Sequence, residues 1–301
     1  MSAQTEVSAK KVTVPQIRGH KVGASEKLPL TMVTAYDAPS ARIVDRAGAE
    51  MILIGDSLAM VVLGYKDTLS VTVDDIAYHT QAVRRSDPLA LVIADLPWMS
   101  YHVSTSETVL NGAKLIRAGA EAVKLEGGAK RVPMIEALVD SEIPVQGHIG
   151  LTPQSIRVMG GFLVQGKTEA AAEILLNDAK KLQDAGCFSI VLEGVPAIVA
   201  KLVTEALNIP TIGIGAGPNT DGQVLVFHDL LGYGFSRVPK FVRKYAEIGE
   251  LAVQAVSSFV SDVREGTFPS EAEGYQDTSG ELAKWSERKL DNVTAHPYLV
   301  G

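Results

Sequence analysis

Residues 105–128 read TSETVLNGAKLIRAGAEAVKLEGG and contain the unit that decides the fold. The first half has helical periodicity and ends at Gly119, at the position of a left-handed C-cap. The short run Ala122–Leu125 follows, and such nearly continuous apolarity is typical of a parallel strand buried on both faces. The stretch therefore predicts a helix, a tight turn and a buried parallel strand.

The same unit recurs along the chain. Predicted helices at 38–47 and 169–185 also end just before a glycine, and the phrase RAGAE occurs at both 46–50 and 117–121. Seven apolar runs alternate with such helices, which favours a (β/α)₈ TIM barrel over a doubly wound sheet. The runs are 30–34, 51–54, 89–94, 122–125, 143–146, 189–192 and 210–214.

The eighth strand is predicted at 236–240, followed by an amphipathic helix at 246–264. Markers of a wound nucleotide-binding sheet are missing, because the glycine-rich stretch 213–218 lacks the third glycine of the dinucleotide motif and no phosphate loop occurs. The predicted organisation is an N-terminal arm at 1–28, mobile or forming a short helix, an α/β barrel at 29–268, and a polar tail at 269–301.

Composition narrows the class of protein. The chain has 301 residues and a net charge of −7, which argues against a nucleic-acid or anionic-membrane partner. The single cysteine, Cys187, cannot form an intrachain disulfide and is expected to be an inert core residue. No apolar run has the length of a membrane span and the N-terminus does not resemble a signal peptide, so a cytoplasmic location is expected.

Acidic residues follow several predicted strands. Asp56, Asp95 and Glu126 end strands two, three and four, and Glu193 ends strand six. Each could simply cap the helix that follows, as Asp37 is expected to do after strand one. Three consecutive strand ends together favour an active site, because the carboxyl ends of barrel strands meet at one mouth. An oxygen-rich site of this kind suits Mg²⁺ and not zinc.

Two basic residues belong to the same predicted mouth. Lys124 lies two residues before Glu126, so strand alternation places both side chains on one face. A lysine inside a barrel needs a counter-charge, which a bound carboxylate or an ion pair with the acidic cluster would supply. A Schiff-base role is less favoured, because acidic neighbours keep the amine protonated. His148 is either a core histidine or a substrate contact.

At these residues the sequence resembles the ketopantoate hydroxymethyltransferase family. The resemblance covers about residues 28–268, and the motifs occur in family order. The matching phrases are TAYD (34–37), GDSL (55–58), TVDDIAYHT (72–80), ADLP (94–97), VKLEGG (123–128), GHIGLTPQS (147–155), GIGAG (213–217) and PKF (239–241).

The resemblance implies a (β/α)₈ barrel and one Mg²⁺ per subunit, bound by Asp56 and Asp95 with Glu126 in or beside the metal shell. It implies that the 2-oxo acid substrate contacts these two aspartates, Ser57 and Lys124, and that Glu193 is the catalytic base. It also implies 5,10-methylene-tetrahydrofolate as one-carbon donor and assembly into a homodecamer.

The implied reaction converts 3-methyl-2-oxobutanoate to 2-dehydropantoate (ketopantoate) through a Mg²⁺-stabilised enolate, at the first committed step of pantothenate biosynthesis. Two alternatives stay open. One is another Mg²⁺-dependent barrel reaction on a 2-oxo acid, of the carbon–carbon lyase or phosphoenolpyruvate mutase type, which shares the enolate chemistry. The other is a barrel kept as a binding or scaffold protein.

Overall fold

The structure, a computed structural model, describes residues 10–22, 27–234 and 238–294. Eight parallel strands form a closed barrel in sequence order, and the last strand pairs with the first. This architecture confirms the predicted (β/α)₈ fold. The strands are β1 Leu30–Thr34, β2 Met51–Ile54, β3 Leu91–Asp95, β4 Ala122–Glu126, β5 Val145–Gly150, β6 Ser189–Glu193, β7 Thr211–Ile214 and β8 Gly222–Leu225.

Helices follow the strands and include those predicted from periodicity. The left-handed backbone of Gly119, with φ 111°, confirms the expected cap at the end of the helix 105–117. The helices are α1 Val14–Arg18, α2 Ala38–Arg46, α3 Leu58–Val61, α4 Val73–Arg84, α5 Thr105–Arg117, α6 Val132–Asp140, α7 Ile156–Met159, α8 Glu169–Asp184, α9 Ala197–Ala206, α10 Phe227–Leu231, α11 Ile248–Glu265 and α12 Glu281–Thr294.

The predicted position of the eighth strand is wrong. Residues 235–237 lie outside the described residues, and residues 238–240 are not in a strand. The eighth strand is instead β8, which pairs with β1 and β7. Its burial alternates, with Val224 buried and Gln223 exposed, so it lacks the continuous apolar run by which the other strands were predicted.

The barrel interior combines an apolar layer with a charged layer along the same strand faces. On β3 the side chains of Leu91 and Ile93 lie in the interior cluster, and Asp95 continues their alternation at the carboxyl end. On β4 Ala122 lies in the same cluster, and Lys124 continues the face. The apolar layer therefore fills the barrel below, and the carboxyl ends of the strands present polar groups above.

Residues before the barrel are anchored to it. Ile17 of α1 is buried in the interior cluster, and the Lys11 ammonium donates a hydrogen bond of 2.7 Å to the Ala90 carbonyl. Part of the predicted arm is therefore a short helix, which was one of the two expected outcomes. The arm residues 1–9 and 23–26 lie outside the described part of the chain.

The chain divides into two compact units, Met1–Glu247 and Ile248–Gly301. The first unit carries the barrel and every candidate site residue. The second contains α11, close to its predicted bounds, a 3₁₀ turn at Glu271–Glu273, and α12 within the segment predicted as a polar tail. No helix in the described ranges has both the length and the apolarity needed to cross a bilayer.

Candidate active site

The carboxyl ends of neighbouring strands bring the predicted site residues together. The strand register pairs Asp95 with Lys124 and Glu126 with His148. Asp56 lies two residues beyond the end of β2 and is 4% exposed. Five predicted residues therefore form one buried group at the mouth of the barrel, as the spacing of charges after each strand indicates.

Asp95 links the group together. One of its carboxylate oxygens, Oδ1, lies 2.9 Å from Lys124 Nζ, and the other accepts a 3.0 Å hydrogen bond from the Asp56 backbone amide. Both contacts are buried, so solvent screens them little. The predicted counter-charge of Lys124 is therefore a carboxylate of the cluster.

Burial and mutual repulsion shift the protonation of the cluster. Burial, together with the neighbouring Asp95, raises the pKa of Asp56 to about 7. Burial and the Asp56 carboxylate raise the pKa of Glu126 well above its usual value. Burial alone would lower the pKa of Lys124, but Asp95, Glu126 and Asp56 outweigh it and raise that pKa, so the amine stays protonated.

His148 connects the buried cluster to Glu193. Burial, reinforced by the Lys124 charge, lowers the pKa of His148, so the ring is neutral near pH 7. Lys124 Nζ lies 3.3 Å from Nδ1, and an ammonium group can only donate, so Nδ1 accepts. The ring proton is then on Nε2, which lies 3.3 Å from Glu193 Oε2. His148 thus lies between the buried cluster and Glu193 in addition to packing in the barrel.

The backbone at the end of β5 allows Glu193 to lie close to His148. Gly150 has φ 94°, and a Cβ added there would lie 2.3 Å from the Glu193 carbonyl oxygen. Only glycine permits this close approach of the two strand ends. The Glu193 side chain is 15% exposed, more than Asp95 or Lys124, so it lies at the edge of the buried cluster.

Ser57 and Asp37 have different roles in the structure. The Ser57 hydroxyl is 2.8 Å from the Tyr36 hydroxyl at the end of β1, which brings Ser57 to the same mouth. Asp37 accepts a 2.7 Å hydrogen bond from the Ser40 amide and caps α2. This contact confirms that Asp37 is a helix cap.

Two residues of the site, Gln154 and Tyr101, were not predicted. The Gln154 side chain donates to Asp56 Oδ2 at 2.9 Å, and the Tyr101 hydroxyl donates to Gln154 Oε1 at 2.6 Å. Gln154 lies inside the family motif at 147–155, and that motif indicated a functional role for the loop after β5. Tyr101 lies in the loop after β3, and no pattern in the sequence pointed to it.

The described residues contain no group of three or more His, Cys, Asp or Glu side chains arranged so that it could hold a metal ion. The oxygen groups at the mouth are instead carboxylates whose oxygens accept hydrogen bonds from the protein. Three carboxyl groups, Asp56, Asp95 and Glu126, face a single ammonium group, Lys124. When all three ionise, the cluster has an excess of negative charge.

Comparison with known proteins shows the family to which this chain belongs. Residues 11–271 match the family model described as ketopantoate hydroxymethyltransferase. The chain belongs to the ketopantoate hydroxymethyltransferase family. It is therefore a transferase, and the resemblance on which the sequence analysis relied is confirmed.

Relatives in this family are similar over most of their length. The 3-methyl-2-oxobutanoate hydroxymethyltransferase of Clostridium beijerinckii is 53% identical over 265 residues, which are 88% of this chain and 96% of that protein. The Koribacter versatilis protein of the same name is 51% identical over 294 residues, which are 97% of each chain. The similarity to the second relative extends well beyond the barrel.

Solved structures at low identity share the fold alone. Phosphonopyruvate hydrolase, crystallised with oxalate and Mg²⁺, has a TM-score of 0.57 at 14% identity and covers 96% of this chain and 100% of its own. A 2,3-dimethylmalate lyase of the phosphoenolpyruvate mutase/isocitrate lyase superfamily has a TM-score of 0.55 at 18% identity, covering 96% and 98%. Both support the barrel architecture, whereas the family match decides between transferase and lyase.

Proposed function

We propose that the protein transfers a hydroxymethyl group from 5,10-methylene-tetrahydrofolate to 3-methyl-2-oxobutanoate and forms 2-dehydropantoate, the first committed step of pantothenate biosynthesis. The names of the relatives support the group transferred and the acceptor. The folate donor is carried over from the motif resemblance. The reaction consumes one water and releases tetrahydrofolate.

The observation that carries the proposal is the buried Lys124–Asp95 ion pair. His148 lies between this pair and Glu193. A 2-oxo acid brings a carboxylate and a ketone oxygen, and the Lys124 ammonium offsets charge that develops on these oxygens. The contacts of Lys124 on β4 with Asp95 and His148 fix its position before the substrate arrives. Preorganised charge of this kind needs no rearrangement during the reaction.

The residues at the mouth fit a bound Mg²⁺. Proteins usually bind Mg²⁺ through one or two carboxylates, with water and substrate oxygens completing the shell, so a cluster of three protein ligands is not required. Asp56 and Asp95 would be the ligands and Glu126 would lie beside them. Burial raises the pKa of Asp56 and repulsion by Asp95 adds to the rise, and a divalent cation would offset that repulsion. When bound, Mg²⁺ supplies Lewis-acid polarisation of the 2-oxo acid.

Glu193 would remove the proton from C3 of the 2-oxo acid. Its partial exposure leaves it accessible to a substrate, and His148 Nε2 lies 3.3 Å from its carboxylate. The C–H electron pair moves into the enolate, and the proton goes to Glu193 Oε. The nucleophilic C3 bonds to the methylene carbon of the donor as one of its C–N bonds breaks, and a water oxygen replaces the other nitrogen to give the hydroxymethyl group. The proton from Glu193 and the proton released by the water go to the two folate nitrogens, and tetrahydrofolate leaves. Ser57, held by Tyr36, would contact the substrate near Asp56.

The experiment is an assay with 3-methyl-2-oxobutanoate, 5,10-methylene-tetrahydrofolate and Mg²⁺, with the product identified by mass. We expect 2-dehydropantoate to form only when all three are present. Product formation without the folate would refute the donor, and no turnover under any condition would refute the enzyme activity. The cytoplasmic location and the homodecamer stay predictions from the sequence.

A further inference from the structure

We propose that Gln154 and Tyr101 are positioning residues that hold Asp56 and Glu126 in the arrangement a divalent cation requires. The inference rests on the proposed function, in which Asp56 binds the cation and Glu126 lies beside it. Gln154 belongs to the 3₁₀ turn Pro153–Ser155 after β5, and Tyr101 to the loop after β3. Neither residue would contact the substrate in this account.

Gln154 contacts both carboxylates directly. Its side-chain nitrogen Nε2 donates to Asp56 Oδ2 at 2.9 Å and to the Leu96 carbonyl at 3.0 Å. Its backbone amide donates to Glu126 Oε2 at 3.0 Å. A single residue therefore fixes one oxygen of each carboxylate and leaves the other oxygen of each outside these contacts.

Tyr101 sets the orientation of the Gln154 amide. Its hydroxyl donates to Gln154 Oε1 at 2.6 Å and accepts from the Glu126 backbone amide at 3.2 Å. Burial raises the pKa of Tyr101 well above its usual value, so the hydroxyl keeps its proton. Because the donor at Tyr101 meets Oε1, the amide must direct its NH₂ group towards Asp56. A flipped amide would place an oxygen against the Asp56 carboxylate.

The network is closed and buried. Gln154 is 4% exposed and Tyr101 is 1% exposed, so water cannot readily replace a lost hydrogen bond. Hydrogen-bond partners of metal ligands orient those ligands, and their mutation typically weakens metal binding about 10- to 100-fold. The alternative is that the network only stabilises the loops, in which case its loss would lower stability and leave metal affinity unchanged.

Metal affinity measured without substrate distinguishes a positioning role of the network from a purely stabilising one. The test titrates metal-free protein with Mn²⁺ and follows the free ion by electron paramagnetic resonance, for the wild type, Gln154→Met, Tyr101→Phe and the double variant. Methionine keeps the length of glutamine without its side-chain hydrogen bonds. We expect the two single variants to bind Mn²⁺ about 10- to 100-fold more weakly. Thermal unfolding of each metal-free protein checks that it is folded.

A matched control comes from the same barrel. Gln146 on β5 is also a fully buried glutamine, and its amide donates to Ser189 at 2.8 Å and not to Asp56 or Glu126. Gln146→Met should keep wild-type Mn²⁺ affinity even though it loses a buried hydrogen bond. An equal loss of affinity in Gln146→Met would mean general loosening of the barrel and would overturn the proposal.

The double variant tests whether Tyr101 acts through Gln154. If it does, Gln154→Met with Tyr101→Phe binds Mn²⁺ no more weakly than Gln154→Met alone. If the losses of Mn²⁺ affinity in the two single variants multiply in the double variant, Tyr101 does not act through Gln154 and that part of the proposal is overturned. Wild-type affinity in folded Gln154→Met and Tyr101→Phe would overturn it entirely. If Gln154→Met fails to fold, Tyr101→Phe, which removes one oxygen atom, decides the matter. A wild type that binds no Mn²⁺ would instead refute the metal of the proposed function.

Discussion

Replacing Asp56 by asparagine tests the electrostatic description of the cluster. Burial and Asp95 raise the pKa of Asp56 from 3.8 to about 7. Because each step of one in pKa corresponds to about 1.36 kcal/mol, ionised Asp56 would cost the metal-free fold ~4 kcal/mol. Asparagine carries no charge and its oxygen can still accept from Gln154. Asp56→Asn should therefore raise the free energy of unfolding of the metal-free protein.

The pH dependence has a definite sign. Because the folded-state pKa is raised, the folded protein retains the proton better than the unfolded chain does. Stability from this group is fully present below about pH 4 and is lost as pH rises through about 7. The stabilising effect of Asp56→Asn should thus be near zero at pH 4 and reach ~4 kcal/mol at most at pH 8.

Denaturant unfolding of metal-free wild type and Asp56→Asn at pH 4 and pH 8 measures the difference. Adding Mg²⁺ at pH 8 should stabilise the wild type and leave the variant unchanged, since a ligand stabilises only the state that binds it. A metal-free variant no more stable than the wild type at pH 8 would refute the electrostatic reasoning. Mg²⁺ stabilisation of equal size in both proteins would refute Asp56 as a ligand.

Three further outcomes follow from the packing. Gly150→Ala should lower stability by about 1–3 kcal/mol through the contact with the Glu193 carbonyl, whereas Gly64→Ala, at a similarly positive φ with open space, should cost less in thermal unfolding. Cys187, whose pKa burial raises to about 12, should react with a thiol reagent only on unfolding, and rapid labelling of native protein would contradict its burial. Deleting residues 276–301 should leave hydrogen exchange at substrate C3 intact, and its loss would contradict a site confined to the first unit.

The sequence predicted those parts of the fold and site that depend on local pattern. Seven strands were predicted because each is nearly continuous in apolar residues, and Asp95 and Lys124 were placed together because barrel strands all end at one mouth. β8 was missed because its side chains alternate between buried and exposed, and α12 because polar residues dominate its segment.

Contacts made by loops were beyond sequence reasoning. Gln154 and Tyr101 meet only because the loops after β5 and β3 converge over Glu126, and neither residue type signals such a role. The 3.3 Å approach of His148 Nε2 to Glu193 likewise depends on the register of β5 and β6. The sequence left His148 as a core histidine or a substrate contact, and the structure adds the role of linking Lys124 to Glu193.

Solvent exchange of the C3 hydrogen of 3-methyl-2-oxobutanoate tests most directly the claim that Glu193 is the base. NMR in D₂O with Mg²⁺ and without folate isolates proton removal from carbon transfer. Glu193→Gln keeps the size of the side chain that lies beside His148 Nε2, but it cannot take up the proton. We predict that the variant binds Mg²⁺ and the 2-oxo acid while exchange falls by about 10²- to 10⁴-fold. Exchange at the wild-type rate would contradict the account and make His148 the next candidate for the base.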